Sequence, residues 1–309
     1  MPNATARPRT GLFYWTHNCR DMLKIALPNK GRLSEETREL FADAGLPVRA
    51  RGERALTASL GGEFEAIFVR AQDIPEFVAD GAADAGVTGW DLVCESERPL
   101  EIRLDLDFGR CRLVVAARED SGIERLDQIV GGRVATAFPR ITRRFFARPG
   151  CAVEVVPVSG AAEIAPHLGI ADIVVDLTST GSTLKVNGLR EIVTVLESSA
   201  RLVTRSRNDA AVPPDKARAL DELVTALESV LNARGQRYVM ANVPRAALEI
   251  VKEVLPGLNG PTVIDILNGG QHVAVHAVVP AAAVYRTIAR LKALGSSGIL
   301  VTRIERLMP

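Results

Sequence analysis

The stretch Asp176-Leu-Thr-Ser-Thr-Gly-Ser-Thr-Leu184 concentrates groups able to do chemistry. Five of the six residues from Thr178 to Thr183 carry hydroxyls (Thr178, Ser179, Thr180, Ser182 and Thr183), and Gly181 frees the backbone to turn sharply. A turn of that composition aims several N–H and O–H donors at one point, as holding a phosphate requires. Asp176 disfavours a phosphate and suits a sugar diol or a cation. An anion cradle beside one carboxylate therefore reads as a site for a phosphorylated sugar. A helix N-cap followed by a polar turn would produce the same pattern. No Gly-Lys-Ser/Thr ends a glycine-rich run, so the segment is not a P-loop.

Two further segments carry charge at the right kind of place. Leu27-Pro-Asn-Lys-Gly-Arg-Leu-Ser34 joins a first strand to a first helix, where Lys30 and the helix N-terminus together attract an anion. In Val69-Arg-Ala-Gln-Asp-Ile-Pro75, Arg70 stands at a strand end and Asp73 near the next helix start. Arginine grips phosphate oxygens through two parallel N–H bonds, or Arg70 pairs with Asp73 across the turn. No Ser-His-Asp arrangement accompanies them. His167 lies near a helix stop and reads as a C-terminal cap. His272 and His276 fall in an alternating, strand-like stretch and read as packing residues rather than metal ligands. A cleft rich in phosphate donors and poor in nucleophiles suits chemistry done by positioning and charge stabilisation.

These residues need a scaffold, and the apolar pattern supplies one. Strands are expected at 23–28, 65–71, 83–89, 111–117, 133–138, 152–158, 171–177 and 191–196. Several are apolar throughout, as strands buried on both faces are. Helices are expected between them: from an N-cap at Ser34 to a stop at Gly45, then 74–80, 141–147 and 161–168. The alternation implies an α/β protein with mostly parallel sheets. Gly81-Ala-Ala-Asp84 before one apolar strand is echoed by Gly169-Ile-Ala-Asp172 before another. The echo points to two similar lobes facing one cleft, although any two βα units share some likeness. A helix over 215–233 precedes a change of pattern: strand 237–243, helix 245–255, strands 262–267 and 271–279 around Asn268-Gly-Gly270, helix 281–294, strand 299–304. That order is βαββαβ, a separate ferredoxin-like module.

Composition narrows the classes. The 309 residues carry 38 Lys and Arg against 37 Asp and Glu, so a generally basic nucleic-acid coat is excluded. Aromatics are only 5%, too few for a broad base-stacking platform. No apolar run approaches the roughly 20 residues of a membrane helix. Residues 1–21 lack the apolar core of a secretory signal and read as a disordered leader, with Met22 a plausible first residue. Cys19, Cys94, Cys111 and Cys151 are scattered, as thiols of a reducing cytosol are.

Residues 23–33, Asp73-Ile-Pro75, 81–89 and above all Asp176 to Leu189 closely resemble ATP phosphoribosyltransferase. Gly260-Pro-Thr262 and Gly295-Ser-Ser-Gly-Ile-Leu300 resemble the regulatory domain of that family's long form. The likeness covers about 22–309. It implies a two-lobed, type II periplasmic-binding-protein-like catalytic core plus the ferredoxin-like domain. The implied division is lobe I at 22–114 and 195–231, lobe II at 115–194 and a regulatory domain at 232–309. The implied reaction is attack of N1 of ATP on C1 of phosphoribosyl pyrophosphate with Mg²⁺ present, the first step of histidine biosynthesis. Histidine would inhibit by feedback, in a cytoplasmic dimer or hexamer of one chain. Carried over by motif, Asp176 and Glu163 should meet the ribose, and Thr178, Ser179, Thr180, Gly181, Ser182 and Thr183 its 5′-phosphate. Lys30, Arg54 and Arg70 should face the polyphosphates, with Arg70 taking charge on the departing pyrophosphate. Lys30, Gly31 and Asp91 should lie at the nucleotide side. Asn242, Thr262 and Gly298 fall where the family holds histidine, Asn242 standing where many relatives have an acidic residue. Three other readings compete. A two-lobe solute-binding protein would want a secretory signal and no attached module. A ligand-sensing transcription regulator would want a helix-turn-helix that 1–60 does not supply. A catalytically inactive homologue is at odds with retention of Lys30, Arg70 and 176–184.

Overall fold

Ile25, Ala26 and Leu27 are buried on every side, and so are Ile173, Val174 and Val175. Residues of this kind make central strands of parallel sheet, covered on both faces. Full burial of each larger apolar side chain contributes roughly 1.5–3 kcal/mol, so these runs fix where each sheet must lie. The computed structural model describes residues 22–52, 55–147, 152–206, 213–267 and 270–308. The first lobe holds β1 (Lys24–Pro28), α1 (Arg32–Asp43), β2 (Val48–Ala50), β3 (Thr57–Leu60), β4 (Phe64–Val69), α2 (Ile74–Ala79), β5 (Ala85–Gly89), α3 (Trp90–Ser96) and β6 (Glu101–Asp105). The second holds β7 (Cys111–Arg118), β8 (Arg133–Thr136), α4 (Pro139–Phe146), β9 (Glu154–Pro157), β10 (Ile173–Thr178), α5 (Ser182–Val186) and β11 (Leu189–Ser198). The chain then returns to the first lobe as β12 (Ala200–Thr204) and α6 (Pro214–Ala233). The C-terminal domain is β13 (Gln236–Pro244), α7 (Leu248–Val254), β14 (Thr262–Asp265), β15 (His272–Pro280), α8 (Val284–Ala293) and β16 (Ser297–Arg303).

The two lobes repeat one plan. The first sheet runs β2-β3-β4-β1-β5-β12-β6 and the second β11-β7-β10-β8-β9. In each, three parallel strands (β4-β1-β5 and β9-β8-β10) are followed by a strand that has crossed from the other lobe. That strand, β12 or β7, runs antiparallel to both neighbours. This is the two-lobed architecture of type II periplasmic-binding proteins, and it vindicates the internal echo. It also corrects the expectation of mostly parallel sheets: each crossing strand runs backwards through its sheet, and β2, β3 and β4 pair antiparallel at the edge of the first. The crossings lie at 106–110 and at Ser199, rather than at the expected 114/115 and 194/195. Cys111 already pairs with Ser198 inside the second sheet, and Leu113 with Leu196 over that lobe's core.

The C-terminal sheet runs β14-β15-β13-β16, all antiparallel, as a ferredoxin-like module requires. Val273, Val275, Ala277 and Val279 alternate inward toward α7 and α8, as expected of a sheet with one covered face. Helix α6 seats Leu220, Leu223, Leu227 and Val230 on the first lobe's core at helical spacing.

Several local expectations change. Ser34 is not an N-cap: α1 starts at Arg32 after Gly31, whose φ of 80° makes the turn, and Ser34 is buried inside the helix. Residues 161–168 form no helix beyond a 3-10 turn at Ala162–Ile164, since Pro166 lacks the N–H a helix needs. His167 does not cap its own segment; its Nε2 meets the Asn187 carbonyl at 2.7 Å. The short strands β2, β3, β6 and β12 escaped the pattern reading. The leader, Arg54, Cys19, Cys151 and the Asn268-Gly269 part of the hairpin lie outside the described residues. Among the described residues no helix is long and apolar enough to cross a membrane.

Candidate active site

Strand order carries the charged residues to one end of each lobe. Pro28 pairs with Val69, and the Asn29 N–H donates to the Val69 carbonyl at 2.9 Å. Lys30 and Arg70 therefore leave adjacent strands side by side. Both are exposed, and neither joins an ion pair among the described residues, so the alternative Arg70–Asp73 pairing is not formed. Gly31 at the start of α1 offers no side-chain cap, which leaves that helix's first N–H groups open beside Lys30.

Across the cleft, β10 ends in Asp176, Leu177 and Thr178. The Thr178 hydroxyl, buried, accepts the Gly181 N–H at 2.9 Å and so sets the turn. Gly181 takes a left-handed φ of 77°, a conformation that disfavours residues with a Cβ. Thr180 and Ser182 hydroxyls lie 2.9 Å apart, and Ser179, Thr180, Ser182 and Thr183 face solvent. The loop's own hydrogen bonds thus preorganise a ring of donors.

Asp176 is only partly exposed. Burial raises its carboxyl above the ordinary aspartate range, the Leu177 N–H at 2.8 Å opposes that, and the neighbouring Glu163 carboxyl adds to the rise. Glu163 and Asp176 were expected to share one ligand, and the fold brings them within hydrogen-bond reach. Two carboxyls so placed suit ribose hydroxyls, which donate to them. Asp91 is buried, its carboxylate accepts the Ser198 hydroxyl at 2.5 Å, and its own N–H donates to Ser198 Oγ at 3.0 Å. Desolvation raises its carboxyl as well. These bonds fasten it to the lobe crossing at Ser198.

The cleft itself is lined by residues that spacing did not single out. One hollow of about 240 Å³ joins Arg32 and Leu33 of α1 to Leu177, Thr178 and Ser179 through Gly109, Arg110 and Cys111. A second, of about 310 Å³, adds Arg112, Glu197, Ser198 and Arg201 beside Ser179. The signal that could have found them is Phe-Gly-Arg-Cys-Arg at 108–112, a basic cluster where one strand ends and another begins. Thr178 sits opposite Arg112 in the β10–β7 register.

Residues 70–229 match the family model described as ATP phosphoribosyltransferase, and 233–306 match the model for its C-terminal domain. A relative named ATP phosphoribosyltransferase from Gemmatimonas aurantiaca is 70% identical, over 93% of this chain and 100% of that one. The chain belongs to the ATP phosphoribosyltransferase family. Relatives of the same name from Haloarcula marismortui and Natronomonas pharaonis are 52% and 49% identical, each over 93% of this chain and 100% of theirs. A solved ATP phosphoribosyl transferase (HisG:HisZ) complex from Thermotoga maritima superposes with a TM-score of 0.56 at 29% identity, covering 67% of this chain and 94% of that one. As a long-form ATP phosphoribosyltransferase, the chain is a pentosyltransferase of histidine biosynthesis. End-to-end identity to enzymes of this family sets aside the solute-binding reading.

In the C-terminal domain the fold gathers only two of three expected histidine contacts. Asn242 lies opposite Ser297 on β16, and its Nδ2 is 3.0 Å from where a Cβ on Gly298 would stand. Thr262 is on β14, the opposite edge of the sheet. Within one chain the three do not share a pocket.

Proposed function

We propose that the Thr178–Thr183 loop wraps the 5′-phosphate of phosphoribosyl pyrophosphate while Asp176 and Glu163 hold its ribose hydroxyls. Lys30, Arg54 and Arg70 face the polyphosphates of both substrates, and the nucleotide lies along Lys30, Gly31 and the α1 end of the cleft. N1 of ATP attacks C1 of the sugar. The C1–N1 bond forms as the C1–O bond breaks, and pyrophosphate leaves with the bonding pair. The ring turns cationic, the Asp176–Glu163 pair favours that charge, and Arg70 offsets the charge gathering on the leaving group. What supports this reading is the one end of β10 where a preorganised hydroxyl loop adjoins a carboxylate pair and opens toward Arg32.

Mg²⁺ fits this arrangement as part of the substrate complex. Among the described residues no group of three or more His, Cys, Asp or Glu side chains could hold a metal ion. Substrate phosphates and water would supply most of its ligands, with Asp176 and Glu163 the nearest protein oxygens. Bound there, it would shield polyphosphate charge. Histidine acts as a feedback inhibitor on the C-terminal domain, at Asn242 and Gly298 of one chain and Thr262 of a neighbouring one. This requires a homo-oligomer, a dimer or hexamer of cytoplasmic enzyme.

Mixing the protein with ATP, phosphoribosyl pyrophosphate and Mg²⁺ should raise the absorbance of the purine adduct, and histidine should suppress the rise. Silence from well-folded protein would overturn the reading of the site.

A further inference from the structure

Helix α3 follows a strand of the first lobe, yet it is bound to the second. Leu92 and Cys94 on it pack against the second lobe's core. Its first turn is pegged to the crossing: the Trp90 N–H donates to the Ser199 carbonyl at 3.0 Å, beside the Asp91–Ser198 bonds. Its last turn meets the start of α4. Phe138, the N-cap of α4, gives that helix no side-chain cap, so its first N–H groups need acceptors from elsewhere. Glu95 supplies them from across the lobe boundary. One carboxylate oxygen accepts the Arg140 N–H at 2.9 Å and the other the Ile141 N–H at 3.0 Å. The Arg140 guanidinium donates in return to the carbonyls of Glu95 and Ser96, at 3.1 and 2.9 Å, and lies 3.8 Å from Glu97.

The exchange is reciprocal. An anion from α3 sits at the positive end of α4, and a cation from α4 sits at the negative end of α3. Each charge answers orphan backbone groups of the other lobe, which surface ion pairs do not. We infer that Glu95 and Arg140 are positioning residues. They make α3 a strut that sets the separation between the Lys30–Arg70 side of the cleft and the Thr178–Thr183 loop. Neither residue reaches the loop, so their effect falls on ligands that touch both lobes. The inference rests on the proposed phosphate site.

Glu95→Ala and Arg140→Ala test it, each in the full-length enzyme. The KM for phosphoribosyl pyrophosphate should rise about tenfold in each, and the double variant should be no worse than either single one. Ribose 5-phosphate needs only the second lobe, and its Kd by calorimetry should stay within about twofold of the parent. Should Glu95→Ala fail to fold, Glu95→Gln, which keeps one acceptor, and Arg140→Lys serve instead with smaller rises. An unchanged KM, or equal weakening of both ligands, would overturn the strut while leaving the phosphate site standing. Ribose 5-phosphate binding that is indifferent to Ser182→Ala would instead overturn the phosphate site, and the strut inference with it.

Discussion

The two lobes share a frame and differ at its open end. Asp84 and Asp172 hold the same place. Asp84 accepts the Lys24 N–H at 2.8 Å, Asp172 accepts the Arg133 N–H at 2.7 Å, and Lys24 and Arg133 each begin the middle one of their lobe's three parallel strands. Four residues on, the lobes part. Thr88, fully buried, donates to the Ala71 carbonyl at 2.7 Å and closes its strand end. Asp176 at the matching position is only half-buried. Helix α3 then starts at once in the first lobe, its N-terminal turn occupied by Asp91 and Ser198. In the second lobe Ser179–Gly181 intervenes and the hydroxyls face outward. The duplicated part is structural, and the residues proposed for the chemistry lie where the copies diverge.

The division of labour can be broken from either side. Arg70→Ala should cost about a hundredfold in kcat with the fold intact, because the role proposed for its charge is greatest as pyrophosphate departs. Near-normal turnover in steady-state kinetics would remove Arg70 from the mechanism. Asp176→Asn should raise the KM for phosphoribosyl pyrophosphate about 10- to 100-fold, from roughly 1.5–3 kcal/mol of charged hydrogen bonding. Thr88→Val, at the corresponding position, should leave that KM alone and lower only thermal stability. The pH dependence has a fixed sign. The Asp176 carboxyl is raised in the folded enzyme, so the fold binds that proton more tightly than the unfolded chain does. Its contribution to stability falls as pH rises from the ordinary aspartate value through the raised one. Substrate affinity runs oppositely, weakening as acid protonates the carboxylate, and parallel pH titrations of Tm and KM would expose a failure of either trend.

The shared frame gives a smaller contrast. Asp84 also holds Lys216 at 3.0 Å from both oxygens, whereas Asp172 is exposed. Asp84→Ala should cost about 2–3 kcal/mol in denaturant unfolding and Asp172→Ala about 1 kcal/mol. Equal losses would mean that the lysine adds nothing. Smallest is Gly181→Ala. A Cβ there meets open space, so only the left-handed backbone resists it. About 1 kcal/mol of loop strain should appear as a rise of about fivefold in KM for phosphoribosyl pyrophosphate, with Tm unmoved.

Legibility in the sequence followed burial and range. The runs at 23–28 and 171–177 were readable because a strand covered on both faces has an unbroken apolar centre, here 25–27 and 173–175. The hydroxyl loop was readable because its donors are consecutive. Strands β2, β3, β6 and β12 were not, since edge or short strands bury too little to leave a pattern. The Asp91 anchor was not legible, since its partner Ser198 stands 107 residues away.

Order along the chain by itself determined the α/β class, the ferredoxin-like tail, the duplicated frame and the Thr178–Thr183 loop, because each shows in the residue pattern of successive elements. Only the tertiary structure decided which strands cross between lobes, that Arg110 and Arg112 line the cleft, and that Glu95 caps a helix of the other lobe. Those contacts join segments tens of residues apart, and no local propensity encodes the register in which two folded lobes meet.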